Sequence, residues 1–437
     1  MPASYNKIAL ALALAAAAAS AQADTNTLVG WAMLPAATFA DGPTSGQFTG
    51  ANPYGSNLPP YFGQQPVQGF SGVLRGAGRS LRVIADNGFG AQGNSADALL
   101  RAYAVLPDFK TARGGSGTVS AADWKTGTPL SAFDEASRIT LHDPDNLLGT
   151  RIQADYAHYY NNAANPEVDP AIKAGRLLTG ADFDIESVRE DKFGKLWFGD
   201  EFGPYLIQTD ADGKVLRRET ALPGVFAPQH PAVTGGSVAA NLGSSGGFEG
   251  MAINKRGDKL YTLLEKTVSG DAAKTLRINE FDIRKGAYTG IDYRYRLEAD
   301  GTAIGDMTAI DDHRFIVIER NGCTATSGCT PFKKLFIADI AGVADGGEAV
   351  KTELVDLMNI ADPHDLNGDG NTRFSFPYVT IEDVLVLDAN TLVVINDNNF
   401  PYGGGRELAS DNTEFLKIHL ANPIRNPQPT DCCAPAQ

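Results

Sequence analysis

Residues 378–400 read YVTIEDVLVLDANTLVVINDNNF, and this stretch indicates the fold. Glu382 and Asp383 open a short apolar strand, a polar turn (DANT) follows, and a second apolar strand runs into Asn396 and Asp397. Two short apolar runs joined by a polar turn predict a β-hairpin. Because the strands are then antiparallel, the acidic and amide groups come together at one end of the hairpin.

The same order of features recurs along the chain. An acidic or small residue, a strand, a polar turn and a second strand ending in an acid or amide appear in residues 69–89, 180–207, 246–266 and 304–320. A third apolar strand follows most copies, for example in residues 275–286 and 333–342. Repeated four-stranded units predict an all-β β-propeller. Chance hairpins of an all-β protein are the alternative interpretation.

Five copies of the repeat are clear, and the predicted domain spans residues 24–420. The first interval is the longest, so we expect either an insertion at about 106–175 or a sixth blade there. The last copy lacks a fourth strand after Leu420, and residues 28–40 could supply it and close the ring. We expect residues 421–437, which contain Cys432 and Cys433, to form a disordered tail.

The N-terminal sequence is typical of a secretory signal peptide. Lys7 precedes an apolar run from Ile8 to Ala19, and Ala21-Gln22-Ala23 predicts cleavage after Ala23. A transmembrane anchor is the alternative, but the run is short for a bilayer. We therefore expect a periplasmic or secreted protein that has no membrane span after cleavage.

Composition limits the partners. The chain has 437 residues and a formal net charge of −15. Such an acidic chain argues against a nucleic-acid partner, which requires a basic surface. In an oxidising compartment, Cys323 and Cys329, on either side of a short loop, predict a disulfide. We expect a monomer that acts on a small molecule.

The repeat predicts that acids from all blades gather at one mouth of the central channel. The candidates are Asp86, Glu186, Asp200, Glu201, Glu249, Glu265, Asp306, Glu319, Glu382 and Asp397. So many carboxylates require protons, bases or metal ions for neutralisation, and calcium accepts such hard oxygen ligands. Acids at strand ends also cap turns and bind backbone amides, which is the structural alternative for each residue.

Two further signals accompany the ring. Lys266, Arg320 and Arg406 could pair with the acids or bind an anionic substrate. The segment DPHDLNGDGN places Asp365, Asn367, Asp369 and Gly370 in the order of a calcium loop. Phe376 stands where the bidentate Glu would be, which favours a plain turn over a weak calcium site.

Several of these motifs together resemble the phytase-like family, described as having "esterase-like activity of phytase". They include GADFDIESV, LWFGDEFGPYLI, GGFEGMAI, FIVIER and IEDVLVLDANTLVVINDNNFPYGGGR. The resemblance covers roughly residues 28–420. It implies an exported β-propeller with phosphoric-ester hydrolase or related esterase activity. True β-propeller phytases, which are similar in architecture, hold calcium ions that bridge phosphates and activate water.

Two functions follow from this resemblance. In the first, the acids of the ring hold calcium. The catalytic residues are Glu319, Arg320 and Glu201. The substrate ester is bound by Lys266, Arg320, Arg406 and Tyr205. In the second, the propeller binds a ligand or a protein partner without catalysis, and calcium has a structural role.

Overall fold

The computed structural model describes residues 25–50, 58–406, 411–425 and 427. Its main strands form three separate four-stranded antiparallel sheets and one eleven-stranded sheet, in which a parallel pairing of Met33 with Thr118 joins two further four-stranded antiparallel units. We call these five units blades 1 to 5 in chain order. Blade 1 contains Phe70–Arg75, Leu81–Ala85, Arg101–Asp108 and Thr118–Ala121, and blade 2 contains Ile185–Glu190, Leu196–Asp200, Tyr205–Thr209 and Thr220–Ala221. Blade 3 contains Gly250–Ile253, Lys259–Leu263, Thr275–Asp282 and Ala287–Arg296, and blade 4 contains Ala303–Ala309, Arg314–Arg320, Lys333–Asp339 and Val350–Asp356.

Blade 5 joins the two ends of the described chain. It contains Ile381–Asp388, Thr391–Asn396, Thr413–His419 and, as its outer strand, Thr27–Leu34. Thr27–Leu34 runs antiparallel to Thr413–His419, with Thr27 opposite His419 and Leu34 opposite Thr413. The expected closure by the N-terminal strand is therefore confirmed. The strand covers an edge of blade 5 that would otherwise expose unpaired backbone groups.

The five first strands contact one another in cyclic order, so the blades form a closed ring and the fold is a β-propeller. One hydrophobic core lies between each pair of neighbouring blades. For example, Trp197 packs against Phe281 at 5.3 Å between blades 2 and 3, and Tyr261 lies 5.0 Å from Phe315 between blades 3 and 4. Because no blade buries both of its faces alone, this packing makes the ring the stable unit.

The segment between blades 1 and 2 includes the stretch in which we expected an insertion or a sixth blade. The predicted insertion at 106–175 contains the fourth strand of blade 1, Thr118–Ala121. The remainder, in the described chain, forms short elements and no further four-stranded sheet. These are Glu135–Ser137, Arg138–Thr140, Gln153–Asp155, Tyr159–Asn161 and the helix Pro170–Gly175. Ile152 and Ile172 of this segment are buried in the core between blades 1 and 2.

The remaining elements are short. They are the strand pairs Phe39–Asp41 with Gln64–Pro66 and Ile360–Ala361 with Arg373–Phe374, the 3-10 turn Gln92–Asn94 and the helix Pro231–Thr234. Cys323 and Cys329 form the expected disulfide. The signal peptide, Cys432 and Cys433 lie outside the described residues, and the boundaries of the domain stay predictions.

The two ends of the propeller differ in the length of their connections. Antiparallel order places all first-to-second turns at one end, and the second-to-third and fourth-to-first connections at the other. The turns at the first end are short, comprising residues 76–80, 191–195, 254–258, 310–313 and 389–390. The other end carries the long connections, including residues 86–100, 122–184, 222–249, 321–332 and 397–412. The acids of the repeat lie at this second end, which we call the mouth.

Candidate functional site

Two positions of each blade face the mouth. In each first strand, the position follows a buried apolar residue, and in each second strand it lies at the end of the strand or within two residues beyond it. For example, Ile381 pairs with Asn396, and Glu382 and Asp397 come next along their strands. We call the ten residues at these positions the mouth ring: Ser71, Glu186, Glu249, Gly305 and Glu382 from first strands, and Asp86, Glu201, Glu265, Arg320 and Asp397 from second strands.

One half of the mouth ring is organised by a cation. Arg320 Nη2 donates to Glu249 Oε1 at 3.0 Å, Glu265 Oε1 at 3.4 Å and Glu382 Oε1 at 2.9 Å. These partners belong to blades 3 and 5, and all four side chains are buried. The Ser71 hydroxyl donates to the other oxygen of Glu382 at 3.2 Å. Three carboxylates thus converge on one guanidinium.

A second group of carboxylates at the mouth comes from blade 2 and from Asp184, just before its first strand. Asp184, Glu186 and Glu201 are buried, and one oxygen from each lies within 4.8 Å of the others. Asn87 Nδ2 donates to Asp184 Oδ2 at 2.7 Å, and the Gly247 amide donates to Glu201 Oε1 at 3.2 Å. We call these three acids the carboxylate triad. In the part of the chain that the structure describes, it is the group whose spacing suits a metal ion.

Burial disfavours the ionised forms at the mouth. It raises the pKa of Glu186 and Glu201 well above the usual range, and the charge of Asp184 adds to both shifts. It also raises the pKa of Glu382 to about 8, although the Arg320 guanidinium opposes the shift, and that of Asp397 to about 6. Protons or cations must therefore neutralise the cluster.

Three expected members of the ring lie outside it. Asp200 accepts the amides of Asp184 at 2.9 Å and Gly203 at 2.8 Å, and burial raises its pKa to about 8. Glu319 accepts from the Tyr295 hydroxyl at 2.8 Å and Lys351 Nζ at 2.6 Å.

Asp306 accepts from Arg189 Nη2 at 3.2 Å and from the Val384 amide at 3.0 Å. We expected Asp200, Glu319 and Asp306 to share the mouth with the other acids, and this expectation is corrected. Each lies one residue away from the position of its strand that faces the mouth. Neighbouring residues of a strand point to opposite sides. Their carboxylates are engaged in holding strands and blades together.

The predicted substrate-binding residues also separate. Lys266 lies at the mouth with its side chain 43% exposed, and its Nζ lies 3.7 Å from Glu265 Oε2. Arg406 instead pairs with Glu414 Oε1 at 2.7 Å and stacks on Phe374, away from the ring. Tyr205 is buried against His230 at 5.6 Å. The substrate-binding roles of all these residues stay predictions.

Two residues of the site, Asp184 and Asn87, are not among those predicted from the sequence. Asp184 lies two residues before Glu186 in the quoted motif GADFDIESV, so alternation along a strand was the available signal. Asn87 follows the ring position Asp86, and its Oδ1 accepts the amide of Gly90 at 2.8 Å. Asn87 therefore holds its own loop and orients Asp184 at the same time.

The segment that resembles a calcium loop forms a turn held by its own side chains. Asp365 Oδ1 accepts the Gly370 amide at 3.1 Å, and Asp369 Oδ1 accepts the Asn371 amide at 2.8 Å. Phe376 is fully buried in the core between blades 4 and 5. These hydrogen bonds favour the plain turn, and a weak calcium site there stays a prediction.

The fold and the mouth define a class: β-propellers with a buried acidic cluster at one end of the channel. The sequence profile of the phytase-like family, described as "Esterase-like activity of phytase", matches residues 65–400. The chain belongs to this family.

A relative from Arthroderma benhamiae, described as an uncharacterized secreted protein, is 23% identical over 175 residues. That match spans 33% of this chain and 34% of the relative, so the chain covers about a third of the relative's length. Among the described residues, no helix combines the length and the apolar character needed to cross a membrane.

Solved structures with similarity to this chain share little sequence with it. A GH43 β-1,3-galactosidase with galactodeoxynojirimycin has a TM-score of 0.40 and 14% identity, covering 80% of this chain and 91% of its own. Regucalcin from Agrobacterium tumefaciens, described as a calcium-binding protein, has a TM-score of 0.30 and 12% identity, covering 59% of this chain and 70% of its own. Scores at this level carry no argument about function.

Proposed function

We propose that this protein is an exported ester hydrolase that binds a divalent cation, calcium in the first place, at Asp184, Glu186 and Glu201. Phosphoric esters are the proposed substrate class. The observation that carries the proposal is the carboxylate triad itself, since three buried acids with converging oxygens cannot all be ionised unless a cation neutralises them. Family membership and the match to a relative described as secreted add support.

The donor set fits a hard cation. All three ligands of the triad are carboxylate oxygens, which suit calcium or magnesium rather than zinc. The chain holds them in place through Asn87, the Gly247 amide and the hydrogen bond from the Asp184 amide to Asp200. A divalent cation, when bound, polarises a phosphoryl or carbonyl oxygen and stabilises developing negative charge.

The distribution of bases limits the substrate. Lys266 is an exposed cation beside the mouth ring, and Arg320 is already engaged by three carboxylates. We propose that Lys266 binds the anionic end of the substrate. One exposed base suits an ester with one phosphate better than a highly phosphorylated molecule such as phytate.

The test compares hydrolysis of 4-nitrophenyl phosphate and 4-nitrophenyl acetate by chelator-treated protein with and without added calcium. We expect calcium-dependent turnover that falls by on the order of 100-fold in Glu186→Gln. Glu353→Gln, which changes an exposed acid paired with Lys334 on blade 4, is the matched control. Full activity in chelator, or in Glu186→Gln, would contradict the proposal.

A non-catalytic propeller is the second candidate. The triad residues are only 4–8% exposed, as is common for structural metal sites. In this case calcium raises the thermal stability, Glu186→Gln removes the effect, and neither ester is turned over. The same two proteins and the same buffers separate the two candidates.

A further inference from the structure

Blade 4 departs from the acidic pattern of the mouth ring at both of its positions. At the second-strand position, four blades place an acid: Asp86, Glu201, Glu265 and Asp397. Blade 4 places Arg320 at this position, and the same blade has Gly305 where the first strands of blades 2, 3 and 5 have Glu. Blade 4 therefore contributes a positive charge and no carboxylate to the ring.

The two exceptions are linked by packing. A Cβ atom at Gly305 would lie 1.9 Å from the carbonyl oxygen of Ile381 and 3.4 Å from Arg320 Nε. Any side chain at position 305 is therefore excluded by blade 5 and crowds the guanidinium. The bare backbone lets Arg320 reach across the seam between blades 4 and 5 to Glu382.

We propose that Arg320 is the built-in counter-cation of the mouth, occupying the position at which Glu249, Glu265 and Glu382 would otherwise bind a second divalent cation. The carboxylates come from two different blades and meet at one nitrogen, Nη2, at 2.9–3.4 Å. A single cation thus bridges blades 3, 4 and 5, as a shared metal ion does between carboxylates.

The carboxylates around Arg320 retain an oxygen atom that is available as a ligand for a cation. Glu265 Oε2 is buried and makes no hydrogen bond within the described chain, although Lys266 Nζ lies 3.7 Å away. Arg320 brings one positive charge to three carboxylates, so their negative charge is only partly compensated. Without the guanidinium, three acids with an open oxygen remain, which is a ligand set for a hard divalent cation.

The consequence is a fixed metal stoichiometry. The mouth binds one divalent cation, at the carboxylate triad, and Arg320 keeps the other half free of metal. The count of one rests on the proposed function, whereas the role of Arg320 rests on its own contacts. Arg320 also confines the metal, and hence the substrate, to the side of the channel formed by blades 1 and 2.

The experiment counts bound calcium after equilibrium dialysis by elemental analysis. We expect one calcium per chain in the wild type, two in Arg320→Met, and one in Arg320→Met/Glu265→Gln. Arg406→Met is the matched control, because it removes a partly buried arginine that pairs with one acid outside the ring, and it should keep the wild-type number.

Each outcome decides between the possibilities. A folded Arg320→Met with the wild-type number of ions, or a wild type with two, overturns the role of Arg320. A wild type that binds no calcium, together with an Arg320→Met variant that binds one ion, refutes the triad site while supporting Arg320 as the counter-cation. If Arg320→Met folds only with calcium present, the ion has replaced the lost charge, and failure to fold even in calcium overturns the inference.

Discussion

Arg320 Nη2 lies 2.9 Å from Glu382 Oε1, across the seam between blades 4 and 5. The two residues are separated by 62 positions in sequence, and both side chains are buried. This contact affects both the charge of the mouth and the stability of the ring. It holds neighbouring blades together and places a positive charge beside one acid of the cluster.

Glu382→Gln should reduce the stability of the protein without preventing it from folding. Gln keeps the shape and one acceptor oxygen, and Arg320 retains Glu249 and Glu265. We expect a loss of about 1–3 kcal/mol in the free energy of unfolding at pH 7, because the single oxygen of Gln cannot replace both acceptors that Arg320 and Ser71 use. Urea titration measures it, with the exposed Glu353→Gln as control, and an unchanged midpoint would show that the pair contributes nothing to stability.

Gly305→Ala should destabilise the contact between blades 4 and 5. The new methyl group would lie 1.9 Å from the Ile381 carbonyl oxygen, so the backbone must shift. We expect a loss of about 1–3 kcal/mol. Gly322→Ala, where a Cβ meets nothing within 4 Å, is the matched control for thermal denaturation. Equal melting temperatures for the two variants would argue against this close approach.

Stability of the calcium-free protein should fall as pH rises. Burial raises the pKa of Asp397 to about 6 and of Glu382 to about 8 in the folded chain, against about 4 in the unfolded chain. The folded state therefore binds more protons between these values, and its advantage is complete below pH 4 and lost as pH passes about 6 and about 8. In chelator, we expect the melting temperature to drop by at least ~2 °C between pH 5 and pH 8.5.

Glu382→Gln checks the origin of that pH dependence. Removing the titrating carboxyl should flatten the upper part of the curve, near pH 8, and leave the lower part. A melting temperature that rises with pH in the wild type would refute the assignment. The measurement is differential scanning calorimetry in chelator at matched ionic strength.

Calcium should stabilise the protein through the triad. Binding to the folded state alone adds about 2.7 kcal/mol at a ligand concentration 100 times the dissociation constant. Glu201→Gln should remove most of this gain, whereas Asp369→Asn, in the turn of residues 365–370, should retain it. A full gain in Glu201→Gln, or its loss in Asp369→Asn, would move the calcium site away from the triad.

The sequence determined the architecture because the hydrophobic repeat is local. Each hairpin, such as Ile381–Asp388 with Thr391–Asn396, is specified by its own alternation and turn, and five such hairpins predict a propeller. The missing fourth strand of blade 5 also predicted its replacement by residues 28–40, and the structure places Thr27–Leu34 there. The location of the acids at one mouth follows from antiparallel pairing alone.

The choice of residue within each pair needed the tertiary structure. The acids Asp200 and Glu201 are adjacent in sequence, and so are the oppositely charged Glu319 and Arg320. The register of each hairpin decides which residue of each pair faces the mouth. A shift of one position reverses the direction of a side chain. Blade 4 shows the effect, since Gly305 takes the ring position and Asp306 turns towards Arg189 and the amide of blade 5.

Tertiary structure alone also decided how the charges are shared. Sequence shows nearly the same acidic motif in several blades, with no sign that three acids gather on Arg320 and three others form a triad. The partners of Arg320 lie 71, 55 and 62 residues away along the chain. Ring closure brings these blades together, and burial makes their charges interact strongly because little water remains to screen them.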